Sequence, residues 1–268
     1  MCFKKIFGCN DPLPVKSTYV YLGLGINDYM GYENDLAGCI NDIKDEIKKL
    51  KSEFPEFQCL SYFDSKVTTQ FFQSEIRRIF ESSPDGFLYG RYSGHGTQIP
   101  SSSEPNGYNE ALYLYNGPLI DDVIYQLQQE TPPGWEVCFK FDSCFSGDIG
   151  SRNLNIGTKK KYRVRERFYQ MPGVPHLIKP VNRLAKTDEG QRWVIMSGCG
   201  EEQTSADAYF GNRPNGAFTY FDLKNYGKGD LYTNELHDVK ESLASYGFDQ
   251  VPELSGPYED KLVLTKND

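Results

Sequence analysis

Apolar positions along the chain switch repeatedly between a strand-like and a helix-like period. Tyr19-Val20-Tyr21-Leu22-Gly23-Leu24-Gly25-Ile26 is an unbroken β-branched and aromatic run that stops at Asn27-Asp28, the signature of a buried first strand. From Asp35 to Glu53, Leu36, Cys39, Ile40, Ile43, Ile47 and Leu50 recur at helical spacing, with Lys44, Glu46, Lys48 and Lys49 opposite, and Pro55 ends the pattern. A second strand is expected over Phe57–Phe63, and a second helix over Thr68–Ser82 with Phe72, Ile76, Ile79 and Phe80 inward. The run Gly86–Tyr92 is a third strand that leads directly into a histidine loop. A short strand at Ala111–Tyr115, a helix from Asp121 to Gln129 and a strand at Trp135–Phe141 follow. Alternation of this kind predicts an α/β fold with a mostly parallel central sheet and helices on both faces. Ligands of such sheets bind outside the carboxyl ends of the strands.

The pattern lapses between Asp148 and Gln191, where glycine, proline and the basic run Lys159-Lys160-Lys161-Tyr162-Arg163-Val164-Arg165-Glu166-Arg167 suggest a long exposed connector. Order is expected again at Trp193–Gly198, in helices over Gly216–Tyr226 and Asn234–Ser245, and in an edge strand at Lys261–Thr265. One domain is expected over 1–268, divided into an extension (1–16), a first region (17–147), a basic linker loop (148–191) and a last region (192–268).

Composition narrows the partners. A net charge of −8 argues against a general binder of nucleic acid or anionic membranes and permits basic substrates. Seven cysteines at 2, 9, 39, 59, 138, 144 and 199 form no CxxC pair, so reduced thiols and a cytosolic setting are expected. No run approaches a transmembrane span or a signal peptide. Cys2 and Cys9 beside Lys4 and Lys5 leave lipidation as a minor alternative to a solvated N-terminus. Gly23-Leu24-Gly25 lacks the third glycine of a dinucleotide fingerprint and the Lys-Ser/Thr pair of a P-loop.

Two segments carry chemistry. Tyr92-Ser93-Gly94-His95-Gly96 and Phe141-Asp142-Ser143-Cys144-Phe145-Ser146-Gly147 each put a reactive side chain just past a β-prone run, 49 residues apart. A thiolate attacks a carbonyl, an imidazole handles the protons, and glycines admit a substrate backbone closely. A free cysteine is only a few per cent thiolate near neutral pH, so the base matters, and His95 is the candidate. The amides of Gly96 and Cys144 are positioned to hold a developing oxyanion. These residues point to peptide-bond cleavage.

The chain resembles the metacaspases, cysteine peptidases of the caspase-like clan. The resemblance rests on Gly38-Cys39-Ile40-Asn41-Asp42, Tyr92–Gln98, Asp142-Ser143-Cys144 and Ser197–Asp207, and it covers most of the chain. The separation of about 50 residues between histidine and cysteine is that of caspases, whose Gln-Ala-Cys signature is absent here. The resemblance implies a three-layer caspase-like sandwich acting as a monomer. It assigns Asp42 and Asp142, with Cys39 and Ser93, to the wall of the primary specificity pocket. Two carboxylates there would pair with a substrate cation and repel an aspartate, implying cleavage of exposed protein segments after Arg or Lys.

The chemistry requires no cofactor, but the resemblance implies calcium as an activator. Asp121 and Asp122 fall where two acidic ligands are expected, Asn109 stands where a further carboxylate would be, and Ser151 or Asp148 lies near another ligand position. As acidic openers of a helix, Asp121 and Asp122 need no metal. Family members are processed between large and small subunit regions, so Lys159, Lys160, Lys161, Arg163, Arg165 and Arg167 become self-cleavage candidates. The competing readings are a catalytically silent scaffold on the same fold and a protease of different specificity.

Overall fold

A computed structural model describes residues 15–30, 32–102, 107–144, 164–173, 190–200 and 203–266. The chain forms β1 (Tyr19–Gly25), α1 (Cys39–Glu53), β2 (Gln58–Phe63), α2 (Thr69–Phe80), β3 (Asp85–Ser93), β4 (His95–Pro100), β5 (Tyr108–Leu114), β6 (Gly117–Ile120), α3 (Asp121–Glu130) and β7 (Gly134–Asp142). It continues with β8 (Val164–Glu166), β9 (Val194–Ser197), β10 (Ala206–Phe210), β11 (Arg213–Gly216), α4 (Ala217–Asn225), α5 (Tyr232–Ser245) and β12 (Glu253–Ser255).

Six strands make the central sheet, in the order β12-β9-β7-β3-β1-β2, parallel except for β12. The apolar runs are continuous because both faces are covered. Val20, Leu22 and Leu24 face one way, into a core with Phe72, Ile76 and Ile79 of α2 and Ile124 and Leu127 of α3. Tyr21, Tyr89 and Cys138 face the other way, toward Ile43 and Leu50 of α1, Phe218 and Phe221 of α4, and Val239 and Leu243 of α5. Gly23 explains the close seat of α1, since a Cβ there would fall 2.5 Å from a methyl of Ile43. The expected three-layer α/β sandwich is therefore observed, and β9 and β12 from the C-terminal region extend the same sheet as β1 to β3.

Several local expectations are corrected. Residues 35–38 precede α1 rather than belonging to it, because Asn27 and Asp207 take the amides there: Leu36 N–H donates to the Asn27 carbonyl, and those of Ala37 and Gly38 donate to Asp207. His95 does not sit in a loop but opens β4, which pairs antiparallel with β5. Lys261–Thr265 is no edge strand, making only an isolated bridge between Leu231 and Leu262; β12 takes the edge instead. Within the expected connector, β8 adds to a small sheet of order β11-β10-β8, so the segment 164–173 is partly structural. Among the described residues no helix is long and apolar enough to cross a membrane.

Candidate active site

Strand register brings the two reactive segments together. β3 and β7 are parallel neighbours in which Ser93 is paired with Asp142. His95 and Cys144 each lie two residues beyond that pair, at the same carboxyl edge of the sheet. Gly96 packs so tightly on the Cys144 backbone that a Cβ would sit 1.6 Å from the Cys144 carbonyl oxygen, which is why glycine stands there.

The amides of Gly96 and Cys144 converge on one acceptor. Both donate to the carbonyl oxygen of Arg167, at 2.9 and 3.2 Å. The neighbouring segment lies as an added strand: β8 pairs antiparallel with β10, and the Arg167 amide continues the ladder by donating to the Ser205 carbonyl at 3.0 Å. Beyond the arginine, Phe168 bridges to Gly96 in parallel sense and the Tyr169 amide donates to the Gly96 carbonyl at 2.8 Å.

The Arg167 side chain fills a buried acidic pocket. Its Nη2 donates to Asp42 at 2.8 Å and to Asp207 at 2.9 Å; Nη1 donates to the Ser93 hydroxyl at 2.6 Å and lies 3.2 Å from Asp142 Oδ1. Each carboxylate is held by further donors. Asp42 accepts from the Ser93 hydroxyl, the Asn215 side-chain amide and the Gly216 N–H. Asp142 accepts from the Ser205 and Thr219 hydroxyls and the Thr219 N–H. Asp207 accepts from the amides of Ala37 and Gly38. Gly216 makes the floor, where a Cβ would fall 2.6 Å from the guanidinium. Cys39 is fully buried close by, and burial pushes its thiol well up despite the opposing Arg167 charge. Burial likewise raises the Asp42 carboxyl, to about 6, with Arg167 opposing and Asp142 adding to the effect.

The imidazole of His95 is turned by its surroundings. Nε2 lies 2.7 Å from the Asn34 carbonyl oxygen, an acceptor only, so this nitrogen carries the proton and Nδ1 keeps the lone pair in the neutral ring. Nδ1 is buried and makes no hydrogen bond among the described residues. The Tyr29 hydroxyl accepts from the His95 amide at 2.8 Å, and its ring packs 4.7 Å from the imidazole. Burial lowers the imidazole to about 4, against the raising effect of the Asn34 and Arg167 carbonyls. Burial pushes the Cys144 thiol well up, and its neighbour Cys199 adds to the shift. With Arg167 seated, burial thus disfavours charge on both groups. Cys144 Sγ lies 3.3 Å from the Ser205 carbonyl oxygen.

The expectation of an exposed basic connector fails at its most informative residue. Arg167 is fully buried, whereas Arg165 is exposed and donates to the Asp35 carbonyl at 2.5 Å. Lys159, Lys160, Lys161 and Arg163 lie outside the described residues, as do Asp148 and Ser151. Sequence reading missed Asp207, Asn215, Gly216, Thr219 and Ser205 in the pocket, and Asn34 and Tyr29 at the histidine. Asp207 closes the Ser197–Asp207 motif, and that acidic end was the available signal.

The calcium ligands fit only in part. Asp121 and Asp122 open α3, and the Asp122 amide donates to Asp121 Oδ1 at 3.1 Å. Asn109 on β5 has a buried Oδ1 without a hydrogen-bond partner among the described residues. No group of three or more His, Cys, Asp or Glu side chains there is arranged to hold a metal ion. A hard divalent cation wants six or more oxygens, so the donors among the described residues do not by themselves make a site.

A parallel-centred sandwich with cysteine and histidine past paired strand ends is a caspase-like arrangement, and solved structures agree at the level of fold. Caspase-1 from Spodoptera frugiperda matches with TM-score 0.61 and 14% identity, covering 97% of this chain and 96% of that one. A protein of Geobacter sulfurreducens matches with TM-score 0.64 and 22% identity, covering 89% and 93%. More narrowly, residues 22–153 match the metacaspase, peptidase C14 domain. Metacaspase-2 of Trypanosoma brucei brucei is 29% identical over 91% of this chain and 74% of its own length, and metacaspase-1 of Candida albicans 24% identical over 88% and 64%. The chain is thus similar to the metacaspases, a family of cysteine peptidases. It spans about two thirds of the length of these relatives.

Proposed function

We propose that the protein is a cysteine endopeptidase that cuts after Arg or Lys, arginine preferred, and that Arg167–Phe168 is a bond it cuts in its own chain. One observation carries the reading. The Arg167 carbonyl oxygen accepts from Gly96 and Cys144 while its guanidinium meets Asp42, Asp142 and Asp207. An intact chain is thus held as a substrate would be.

In this mechanism Nδ1 of neutral His95 takes the Cys144 thiol proton as Sγ attacks the Arg167 carbonyl carbon. The tetrahedral oxyanion forms where the two amides already point. Collapse breaks the C–N bond, and the Nδ1 proton passes to the Phe168 amine. Water, deprotonated by the same nitrogen, then attacks the thioester; the C–S bond breaks, the Arg167 carboxylate leaves, and the Nδ1 proton returns to Cys144 Sγ. Asn34 keeps the ring in the tautomer this requires. Arginine is favoured over lysine because both terminal nitrogens are used, one toward Asp42 and Asp207 and the other toward Ser93 and Asp142.

Asp42 and Asp142, with Cys39 and Ser93, form the pocket wall in this reading. All these groups come from one chain, so a monomer suffices. The five described cysteines are unpaired, in keeping with a reducing compartment such as the cytosol. Calcium activation remains a separable part of the proposal, tested by adding calcium or a chelator during turnover of an Arg-terminated peptide.

The decisive experiment incubates the full chain and sequences new N-termini. A product beginning at Phe168, absent from Cys144→Ala, is expected; no product, or one beginning elsewhere, overturns the assignment of this bond. The burial of Cys144 and His95 beneath Arg167 favours one alternative, a permanently plugged protein acting by binding alone. Turnover of Arg-ending but not Asp-ending peptides separates the two.

A further inference from the structure

Past the cut, the chain is recognised as closely as before it. The Tyr169 amide donates to the Gly96 carbonyl at 2.8 Å, and the fully buried Thr97 hydroxyl donates to the Tyr169 carbonyl at 2.8 Å. These contacts take any residue. The side chain is held differently: the Tyr169 ring stacks on Tyr113 with centroids 3.9 Å apart and planes 19° apart. Tyr113 in turn stacks on Tyr29 at 5.9 Å, so the platform is backed by the ring that packs against His95. Tyr113 stands opposite His95 in the β4–β5 pairing, which fixes the platform relative to the reacting bond. Its backbone is anchored too, the Tyr113 carbonyl accepting from the buried Tyr92 hydroxyl at 2.9 Å.

We infer that Tyr113 forms an aromatic subsite that selects substrates carrying an aromatic residue at the second position after the cleaved bond. The inference rests on the proposed cleavage after Arg167, and adds a specificity-determining residue on the leaving-group side. Ring stacking adds to simple apolar burial, so an aromatic residue there is favoured about three- to tenfold over alanine. Both contributions act through the segment that departs as the amine.

The test uses the full self-processed chain and two peptides identical except for Arg-Phe-Tyr or Arg-Phe-Ala at the cut, with the cleaved bond located by mass spectrometry. The Tyr peptide is expected to show the higher kcat/KM by about three- to tenfold. Tyr113→Ala should bring the ratio to near one and Tyr113→Phe should keep it; Tyr113→Leu, which preserves apolar volume, should also lose most of it and guards against a folding failure of the alanine variant. A ratio near one in the natural protein, or one unchanged in Tyr113→Leu, overturns the subsite while leaving cleavage after arginine intact. Failure to cut either peptide after arginine removes the parent reading and the subsite with it. A role confined to stability would lower both rates together and leave their ratio unmoved.

Discussion

Two buried ionic clusters lie on the same face of the sheet, one two residues short of the carboxyl end of β3 and β7 and one at it, and they hold their cations in different ways. In the first, Arg91 of β3 and Lys140 of β7, directly paired across the strands, meet Glu46 of α1, Asp222 of α4 and Glu235 of α5. Lys140 and Arg91 hold Asp222 below the usual carboxylate range although burial raises it, while burial pushes Glu235 well up with Lys140 only partly opposing. Two cations there meet three carboxylates, with burial disfavouring charge on Glu235. Two residues further along the same strands, the second cluster sets one cation, Arg167, against Asp42, Asp142 and Asp207. Its three carboxylates share that single cation. Every partner in the first cluster sits on a helix or sheet strand, whereas the cation of the second belongs to an extended segment just past β8. A cluster whose cations all sit on the sheet locks elements together; one whose single cation sits on a separable segment can exchange it, as the proposed cleavage requires.

The largest effect expected is on the first cluster. Arg91→Met should cost roughly 3–5 kcal/mol in urea unfolding, the usual penalty for stranding buried charge. Arg167→Met should cost much less, because its segment can move aside and admit water to the carboxylates, while cleavage at 167–168 disappears. Equal destabilisation by the two variants would dissolve the distinction.

Next comes Asp142→Asn, which should lower kcat/KM for Arg peptides by roughly 30-fold or more, the truncation of a desolvated charge pair costing about 2–5 kcal/mol. Near-normal turnover would mean that the pocket does not select by charge.

A titration sharpens the contrast. An Arg residue binds best when Asp42 is ionised, and its carboxyl is raised to about 6. Discrimination between an Arg peptide and its neutral citrulline counterpart should therefore shrink as pH falls from 8 through 6. The linked stability has the opposite sign. Between about 4 and 6 folded Asp42 keeps a proton that the unfolded chain gives up, so its stabilising contribution declines as pH rises through that window. Asp222, depressed in the folded chain, stabilises above its unfolded value and loses that contribution as pH falls. A ratio of Arg to citrulline turnover that is flat with pH would contradict the pocket reading.

The smallest change is Arg167→Lys, which keeps charge but loses the fork. Self-cleavage measured as a single-turnover rate should slow by about tenfold or more and persist, at least one hydrogen bond to a charged group being lost. A faster rate would reverse the order of preference.

Much of the site was legible in the chain itself. Gly94-His95-Gly96 and Asp142-Ser143-Cys144 stand out because each follows a strand-like run, and Asp42 follows from its motif on α1. The edge strand was misread because Lys261–Thr265 is apolar enough for a strand, whereas the edge pairing of β12 rests on backbone bonds that side-chain pattern does not encode. Calcium ligation stayed undecided for a related reason, as oxygen donors become a site only through shared geometry.

What the sequence determined alone is local: alternation of strand and helix, the reactive residues at strand ends, and acidic side chains available for a cation. These depend on neighbours within a few residues, through hydrophobic period and turn chemistry. Only the tertiary structure paired Ser93 with Asp142, brought Asp207 from β10 into the pocket, and placed Arg167 rather than Arg165 among its carboxylates. Those outcomes are decided by register and by packing between segments as much as 170 residues apart, as in the Ala37–Asp207 contact, and no local pattern carries that information.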